Sequence, residues 1–254
     1  EEHHCGVRVV RHPVKQGNPL GFLQSVLREG GKAFQRLVRQ ERFDLINIQQ
    51  PLAGCAVIRH SESRGLPVLY TFHSSWPAEY RSRSGEDEFP QGLRGGPRRA
   101  WMGLNSRVRA DMEREVLLRA DSIMVLSEFS ASELRKHHSI RPERIVIVPG
   151  GVDTRRFHPP TDRASLRVDL GLPSRQVLIT VRNHVARMGL ESLLLAMRIV
   201  VDEQSDCHLL IGGSGPLTRK LMELVQQLKL EQNVRFLGFV PDADLPRYYG
   251  AADA

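Results

Sequence analysis

Pro149-Gly150-Gly151-Val152-Asp153-Thr154-Arg155-Arg156-Phe157-His158-Pro159-Pro160 divides this chain in two. Two glycines, two arginines and a closing Pro-Pro pair suit a connector, because neither a helix interior nor a central strand tolerates that composition. On both sides the apolar pattern alternates between short β-rich runs and longer runs at helical spacing. Upstream, strand patterns fall at 7–10, 44–48, 66–72, 121–126 and 144–148, with helical patterns at 23–38, 52–64 and 101–119. Ser130 with Glu133 fits a capping box for a further helix. Between 74 and 99 the chain is polar and rich in Gly, Arg and Pro, the composition of a long loop. Downstream, strands are expected at 177–181, 207–211 and 234–237, and helices at 190–203, 217–228 and near 244. Such alternation predicts an α/β fold of parallel sheets covered by helices on both faces.

The chain has 254 residues, of which 41% are hydrophobic and 26% charged, the balance of a globular protein rather than a disordered one. At roughly 100–200 residues per domain, that length holds one large domain or two small ones. No apolar run approaches the ~18 residues of a membrane span. Net charge is +7. The basic residues are scattered, so a solvated surface is the simpler account. The aromatic–basic interleaving of a nucleic-acid module is missing, and no nucleic-acid partner is expected. Cys5, Cys55 and Cys207 are odd in number and lack metal-ligand spacing. Neither a disulfide framework nor a metal site is expected, and a reducing cytoplasmic compartment fits. Residues 1–6 lack the basic head and apolar core of a signal peptide. With no initiator Met, and with Ala254 falling in or just after a helical pattern, both ends read as cut.

In open α/β sheets, ligands bind beyond the carboxyl ends of the strands. His73 follows the strand pattern at 66–72 and suits a hydrogen bond to a phosphate or hydroxyl, or a role in placing charge in a transition state; a strand-capping histidine is the plain alternative. Trp76 and Tyr80 suit either stacking on a sugar ring or packing of their loop, with packing the plainer reading. Gly212-Gly213-Ser214-Gly215-Pro216 opens a helix, where backbone can approach a ligand and amides attract anions. A dinucleotide fingerprint would need glycine where Thr218 stands, which disfavours a nicotinamide or flavin site. Arg182 and Arg187 lie at the mouth of the strand at 177–181, where guanidinium forks suit a diphosphate and surface arginines are the bland reading.

The order of these segments carries more than any one of them. Pro149-Gly150-Gly151-Val152-Asp153 with Phe157 and Pro159 resembles the inter-domain signature of group 1 (family 4) glycosyltransferases. Thr71-Phe72-His73, Ser127-Glu128-Phe129-Ser130, Gly212-Gly213-Ser214-Gly215-Pro216-Leu217, the run from Val234 to Val240, and Tyr248-Tyr249 with Ala251-Ala252-Asp253 are similar to further family elements, in family order. The resemblance implies two Rossmann-like domains facing across a cleft (GT-B-like): residues 1–149 on the acceptor side and 150–254 binding the donor, hinged at Gly150 and Gly151. It implies a nucleotide-diphosphate sugar as substrate, transfer with retention of configuration, and no metal or cofactor. His73 would be the catalytic candidate. Arg182, Asn183 and Arg187 would lie at the donor diphosphate, Gly213 and Gly215 would line the donor pocket, and Gly238, Phe239 and Val240 would lie against the nucleobase. The acceptor (sugar, lipid or small molecule) stays open, as does peripheral contact with the inner face of the membrane.

The chain departs from the family where a basic Arg-Leu-x-x-x-Lys-Gly run is usual. Aligned on Gly189, Asn183 takes the Arg position, His184 the Leu position and Met188 the Lys position, whereas Arg182 and Arg187 keep the spacing one residue earlier. The family's first strand and Gly-rich loop are expected before residue 1, and its Glu-x7-Glu element after residue 254, so the chain alone is expected to be inactive. Asn183 and Met188 favour an alternative, a degenerate nucleotide-sugar-binding module without transferase activity. A nucleotide-sugar epimerase of the same architecture is a further enzyme reading.

Overall fold

The computed structural model describes residues 2–4, 6–16, 19–83, 96–173 and 176–254; Glu1, Cys5 and the middle of the expected loop, 84–95, lie outside the described residues. The chain forms two compact units, Glu1–Gly150 and Gly151–Ala254.

In the first unit, β1 (Glu2–His4) and β2 (Val7–Val9) pair antiparallel with Gly6 at φ +79 between them. The expected strand at 7–10 therefore belongs to a two-stranded ribbon, not to the parallel sheet. So short a connection allows only an antiparallel return, because parallel neighbours need a crossover of a dozen residues or more. The helical pattern at 23–38 becomes α1 (Pro19–Ser25), a π-helical turn and α2 (Gly31–Gln40). Four parallel strands follow in sequence order: β3 (Ile46–Ile48), β4 (Val68–Phe72), β5 (Ser122–Val125) and β6 (Ile145–Ile147). Their crossovers carry α3 (Pro51–Ile58), the pair α4 (Trp76–Arg83) and α5 (Pro97–Arg119), and α6 (Glu128–His138).

Two local expectations are corrected. Helix α4 lies inside the stretch whose composition suggested a loop. Trp76 and Tyr80, one turn apart, pack beneath the Arg109 guanidinium of α5, which lies 5.3 and 3.9 Å from their ring centroids. Cation–π contact of this kind is a tertiary term that composition does not show. Helix α6 starts one turn early: Ser127 is its cap, its hydroxyl accepting from the Ser130 N–H at 3.3 Å. Tyr70, Phe72 and Ile123 of the sheet pack with Val116 and Leu117 of α5 and Leu134 of α6, each such burial contributing about 1.5–3 kcal/mol.

The second unit opens with α7 (Arg163–Asp169), capped by Asp162. Its seven residues, three charged, carry too little periodicity to be legible in the sequence. Then come β7 (Gln176–Val181), α8 (Leu190–Glu203), β8 (Cys207–Gly212), α9 (Thr218–Gln227), β9 (Val234–Gly238) and α10 (Leu245–Ala251). The sheet is parallel, in the order β7-β8-β9. Strand periodicity splits β8 between two cores: Leu209 and Ile211 pack with Leu194 and Leu221, whereas Leu210 packs with Leu172 and Ala251. Both faces of this sheet are therefore covered.

An Ala-Asp pair does the same work in each unit. Asp121 accepts the Val68 N–H through its carboxylate at 2.7 Å and returns its own N–H to the Val68 carbonyl at 2.8 Å. Asp253 does likewise with Val177, at 2.8 and 2.7 Å. The Val177 N–H, and after it Arg167 and Arg163, hold the Asp253 carboxyl below its ordinary value of 3.8. A depressed acid stabilises the fold above its unfolded pKa and loses that contribution as pH falls through the folded value. Asp253→Ala should cost about 1–2 kcal/mol at pH 7, the scale of a hydrogen bond to a charged group on a partly exposed side chain. Urea titrations at pH 7 and pH 3 test this: the deficit should shrink at the lower pH, and a deficit equal at both would rule out the ionised cap.

Candidate functional site

Three loops meet at the carboxyl edge of the β7-β8-β9 sheet. Backbone hydrogen bonds join them: Arg182 N–H to the Gly212 carbonyl at 2.9 Å, His184 N–H to Ser214 at 3.0 Å, Leu217 N–H to His184 at 3.1 Å and Gly213 N–H to Gly238 at 2.6 Å. The structure thereby brings together all the donor-side candidates: Arg182, Asn183 and Arg187 after β7, Gly213 and Gly215 after β8, and Gly238, Phe239 and Val240 after β9.

The glycines have an internal reason to be there. Gly213 adopts φ +110, and a Cβ on it would lie 2.0 Å from the Arg182 carbonyl oxygen; one on Gly215 would lie 2.6 Å from that of His184. The turn thus packs against the chain's own 182–184 backbone. Its amides are largely used within the protein: Gly213 donates to Gly238, Leu217 to His184 and Thr218 to Gly215, and Gly215 donates to the Thr218 hydroxyl at 3.0 Å. The expectation of free amides at this helix start is corrected on that ground, the Ser214 N–H being left without a protein partner among the described residues.

His184 is fully buried, as an apolar residue at its position would be. Its Nδ1 meets the Thr218 hydroxyl at 2.8 Å, and its ring stands edge-on to Phe236 with centroids 6.0 Å apart. Met188 packs on the α8–α9 core. Arg182 and Arg187 are exposed, and neither guanidinium has a hydrogen bond or ion pair among the described residues. Folding has thus turned the methionine inward and left the two arginines facing solvent. In the third loop Val240 is buried, with a methyl group 3.0 Å from where a Cβ on Gly212 would stand, whereas Phe239 is 80% exposed and offers an open ring face.

In the first unit, His73 stands exposed beyond β4, its Nε2 3.0 Å from the Gln49 side-chain oxygen. Gln49 in turn donates to the Asn47 carboxamide at 2.8 Å and to the Thr71 hydroxyl at 2.9 Å. With the Gln49 oxygen as acceptor, Nε2 carries the proton and Nδ1 is left as an acceptor. Gln49 and Asn47 were not among the residues expected at the site from the sequence, although Gln49 directly follows β3 just as His73 follows β4. Trp76 and Tyr80 are engaged in packing. The connector glycines Gly150 and Gly151 have no positive φ, so the backbone itself does not require glycine at either position.

Two consecutive parallel α/β units with polar side chains at their strand ends define a protein of the two-domain, Rossmann-like class. The chain belongs to glycosyltransferase family 4: residues 1–156 match the family described as Glycosyltransferase Family 4, and residues 162–254 match Glycosyl transferases group 1. It is 27% identical to mannosylfructose-phosphate synthase of Agrobacterium fabrum, covering 97% of this chain and 56% of the relative. It is 28% identical to D-inositol 3-phosphate glycosyltransferase of Segniliparus rotundus, covering 91% and 48%. The chain thus spans about half the length of these curated relatives. Among solved structures it is similar to the sucrose-phosphate synthase of Thermosynechococcus elongatus (TM-score 0.75, 23% identity, 100% of this chain and 60% of that one). Another is Anabaena Alr3699/HepE in complex with UDP-glucose (TM-score 0.62, 20% identity, 93% and 57%). The fold is that of the GT-B glycosyltransferases. Among the described residues, no helix is long and apolar enough to cross a membrane.

Proposed function

We propose that the complete protein transfers a sugar from a nucleotide-diphosphate sugar to an acceptor, with retention of configuration and without a metal, and that residues 150–254 hold the donor. The observation that carries this reading is the pair of exposed guanidiniums, Arg182 and Arg187, unpaired among the described residues, on the loop that backbone hydrogen bonds join to the glycine turn at one sheet edge. Diphosphate is a strong match for guanidinium, and stabilising the leaving diphosphate with fixed cations is the main electrostatic task of such a transfer. Phe239 would stack on the base, with Gly238 letting the chain turn beneath it at φ +67. Asn183 would supply a neutral hydrogen bond beside the diphosphate. The UDP-glucose in the structurally similar Anabaena protein is in keeping with this donor class. Residues 1–149 would serve the acceptor side, with His73 at the reacting sugar. The activity proposed is that of the whole protein; this chain spans about half the length of its curated relatives.

Replacing both Arg182 and Arg187 by alanine should weaken nucleoside-diphosphate binding by roughly 1.5–3 kcal/mol, the scale of a hydrogen bond to a charged group. Calorimetric titration with UDP, GDP and ADP measures it, and unchanged affinity would reduce the pair to surface arginines. The second reading, a binding module without transfer, is favoured by Asn183 and Met188 in place of the usual cations. It predicts the same arginine-dependent binding, with no release of nucleoside diphosphate by the complete protein supplied with donor and acceptors.

A further inference from the structure

Glu113 of α5 is fully buried and takes no part in the site described above. Its carboxylate accepts the Trp76 backbone N–H at 2.6 Å and lies 3.5 Å from the Ser75 hydroxyl. These residues follow His73 by three and two positions, in the segment that turns β4 into α4. The carboxylate therefore holds, from inside the unit, the backbone that carries His73 at its outer end. On its own helix Glu113 interrupts an apolar stripe formed by Met112, Val116 and Leu117. An apolar side chain there would avoid the cost of burying a carboxylate.

We propose that Glu113 is a positioning residue for His73: ionised, it clamps Ser75 and Trp76 and so fixes the strand end that bears the histidine, and protonated, it loosens that clamp. This rests on the reading of His73 as the catalytic candidate. The titratable groups facing Glu113 come from each element packed on it. They are Glu79 of α4, Tyr70 of β4 and His138 of α6, whose Nε2 lies 3.6 Å from the Glu113 Oε1. Arg109, one turn earlier on α5, is stacked on Trp76 and Tyr80. Burial, with His137 and Arg114 adding, holds His138 below its ordinary value, so it supplies little counter-charge near neutrality. Burial pushes the Glu113 carboxyl up to about 7, against the opposing hydrogen bonds from Trp76 and Ser75. The switch between clamped and loosened forms therefore falls near neutral pH. Protonation removes the charge assistance from the bond to the Trp76 N–H.

The test begins with the unmodified protein. In 15N-resolved NMR the Trp76 amide should titrate with a midpoint near 7. In Glu113→Gln, which preserves shape and an acceptor oxygen, that titration should vanish and the Ser75 and Trp76 amides should exchange about tenfold faster. In the complete protein, Glu113→Gln should lower kcat about tenfold with donor KM unchanged and abolish the acid limb of the kcat profile. Glu113→Asp should recover part of the loss. A wild-type Trp76 amide that is silent between pH 5 and 9 would overturn the proposal, as would a Glu113→Gln variant with wild-type kcat and pH profile. His73→Ala separates the two readings. If it turns over normally, the catalytic role of His73 falls, while the coupling of Trp76 to Glu113 is still decided by the amide titration.

Discussion

Gly213→Ala should destabilise the Gly151–Ala254 unit by about 2–6 kcal/mol and abolish nucleotide binding with it. The position combines two costs. At φ +110 an alanine is strained by about 1–3 kcal/mol. Its Cβ would lie 2.0 Å from a backbone oxygen, which cannot rotate away as a flexible side chain would. Relieving that overlap moves the β7 and β8 loops apart, at a further cost of about 1–3 kcal/mol. The same movement breaks the Arg182–Gly212 and His184–Ser214 backbone hydrogen bonds that join the loop bearing both arginines to the turn. Urea unfolding with hydrogen exchange read at the β7 and β8 amides measures the stability term, and calorimetry with UDP the binding term. A variant within 1 kcal/mol of wild type, still binding nucleotide, would show that the turn relaxes cheaply and that its glycines have another purpose (about 1 kcal/mol is what an ordinary glycine replacement can cost).

The second large effect is a pH dependence of stability in the first unit. Glu113 has an ordinary value of 4.5 and is raised to about 7 by burial. The folded protein thus holds this proton more tightly than the unfolded chain does. Linkage makes the native state lose stability as pH rises from 4.5 to about 7 and stay level above. At about 1.4 kcal/mol per unit, the loss amounts to roughly 3 kcal/mol. Glu113→Gln is neutral throughout, so its stability relative to wild type should rise by that amount between pH 4 and pH 8. Both tryptophans, Trp76 and Trp101, lie in the first unit, so denaturant titration followed by tryptophan fluorescence reports on it. A wild-type-to-variant difference that stays level across this range would mean that the carboxyl titrates near its ordinary value and that water reaches it. Kinetic and thermodynamic consequences of this residue run in opposite directions: the ionised form that tightens the His73 segment is the one that costs stability, a common trade at functional sites.

The alternation of strand and helix patterns, the break at 149–160 and the strand-end position of His73, Arg182, Arg187 and Gly213 were all legible in the sequence. Each rests on local periodicity or on composition over a few residues, and a parallel sheet makes strand ends predictable from the strands alone. The β1–β2 ribbon, the helical character of 76–83 and the start of α6 were not, because in each case a contact or turn outside the local pattern decided the outcome. Partners were beyond reach for the same reason. Gln49 meets His73 across 24 positions and Glu113 meets Trp76 across 37, distances that only strand register and helix docking close. Glu113, inside the stripe of Met112, Val116 and Leu117, carried no expectation from the sequence, and the Trp76 N–H it accepts is fixed only by helix docking. The purpose of Gly213 and Gly215 also changed. As sequence they suit a ligand's close approach; in the fold they admit the backbone of Arg182 and His184, because adjacent loops at a sheet edge need room from one another before any ligand arrives. The chain's own sequence determined two α/β units and which edge of each carries polar groups. Tertiary structure decided which of those groups face solvent, turning Met188 inward and leaving Arg187 out, since burial is settled by what packs against a residue and not by the residue alone.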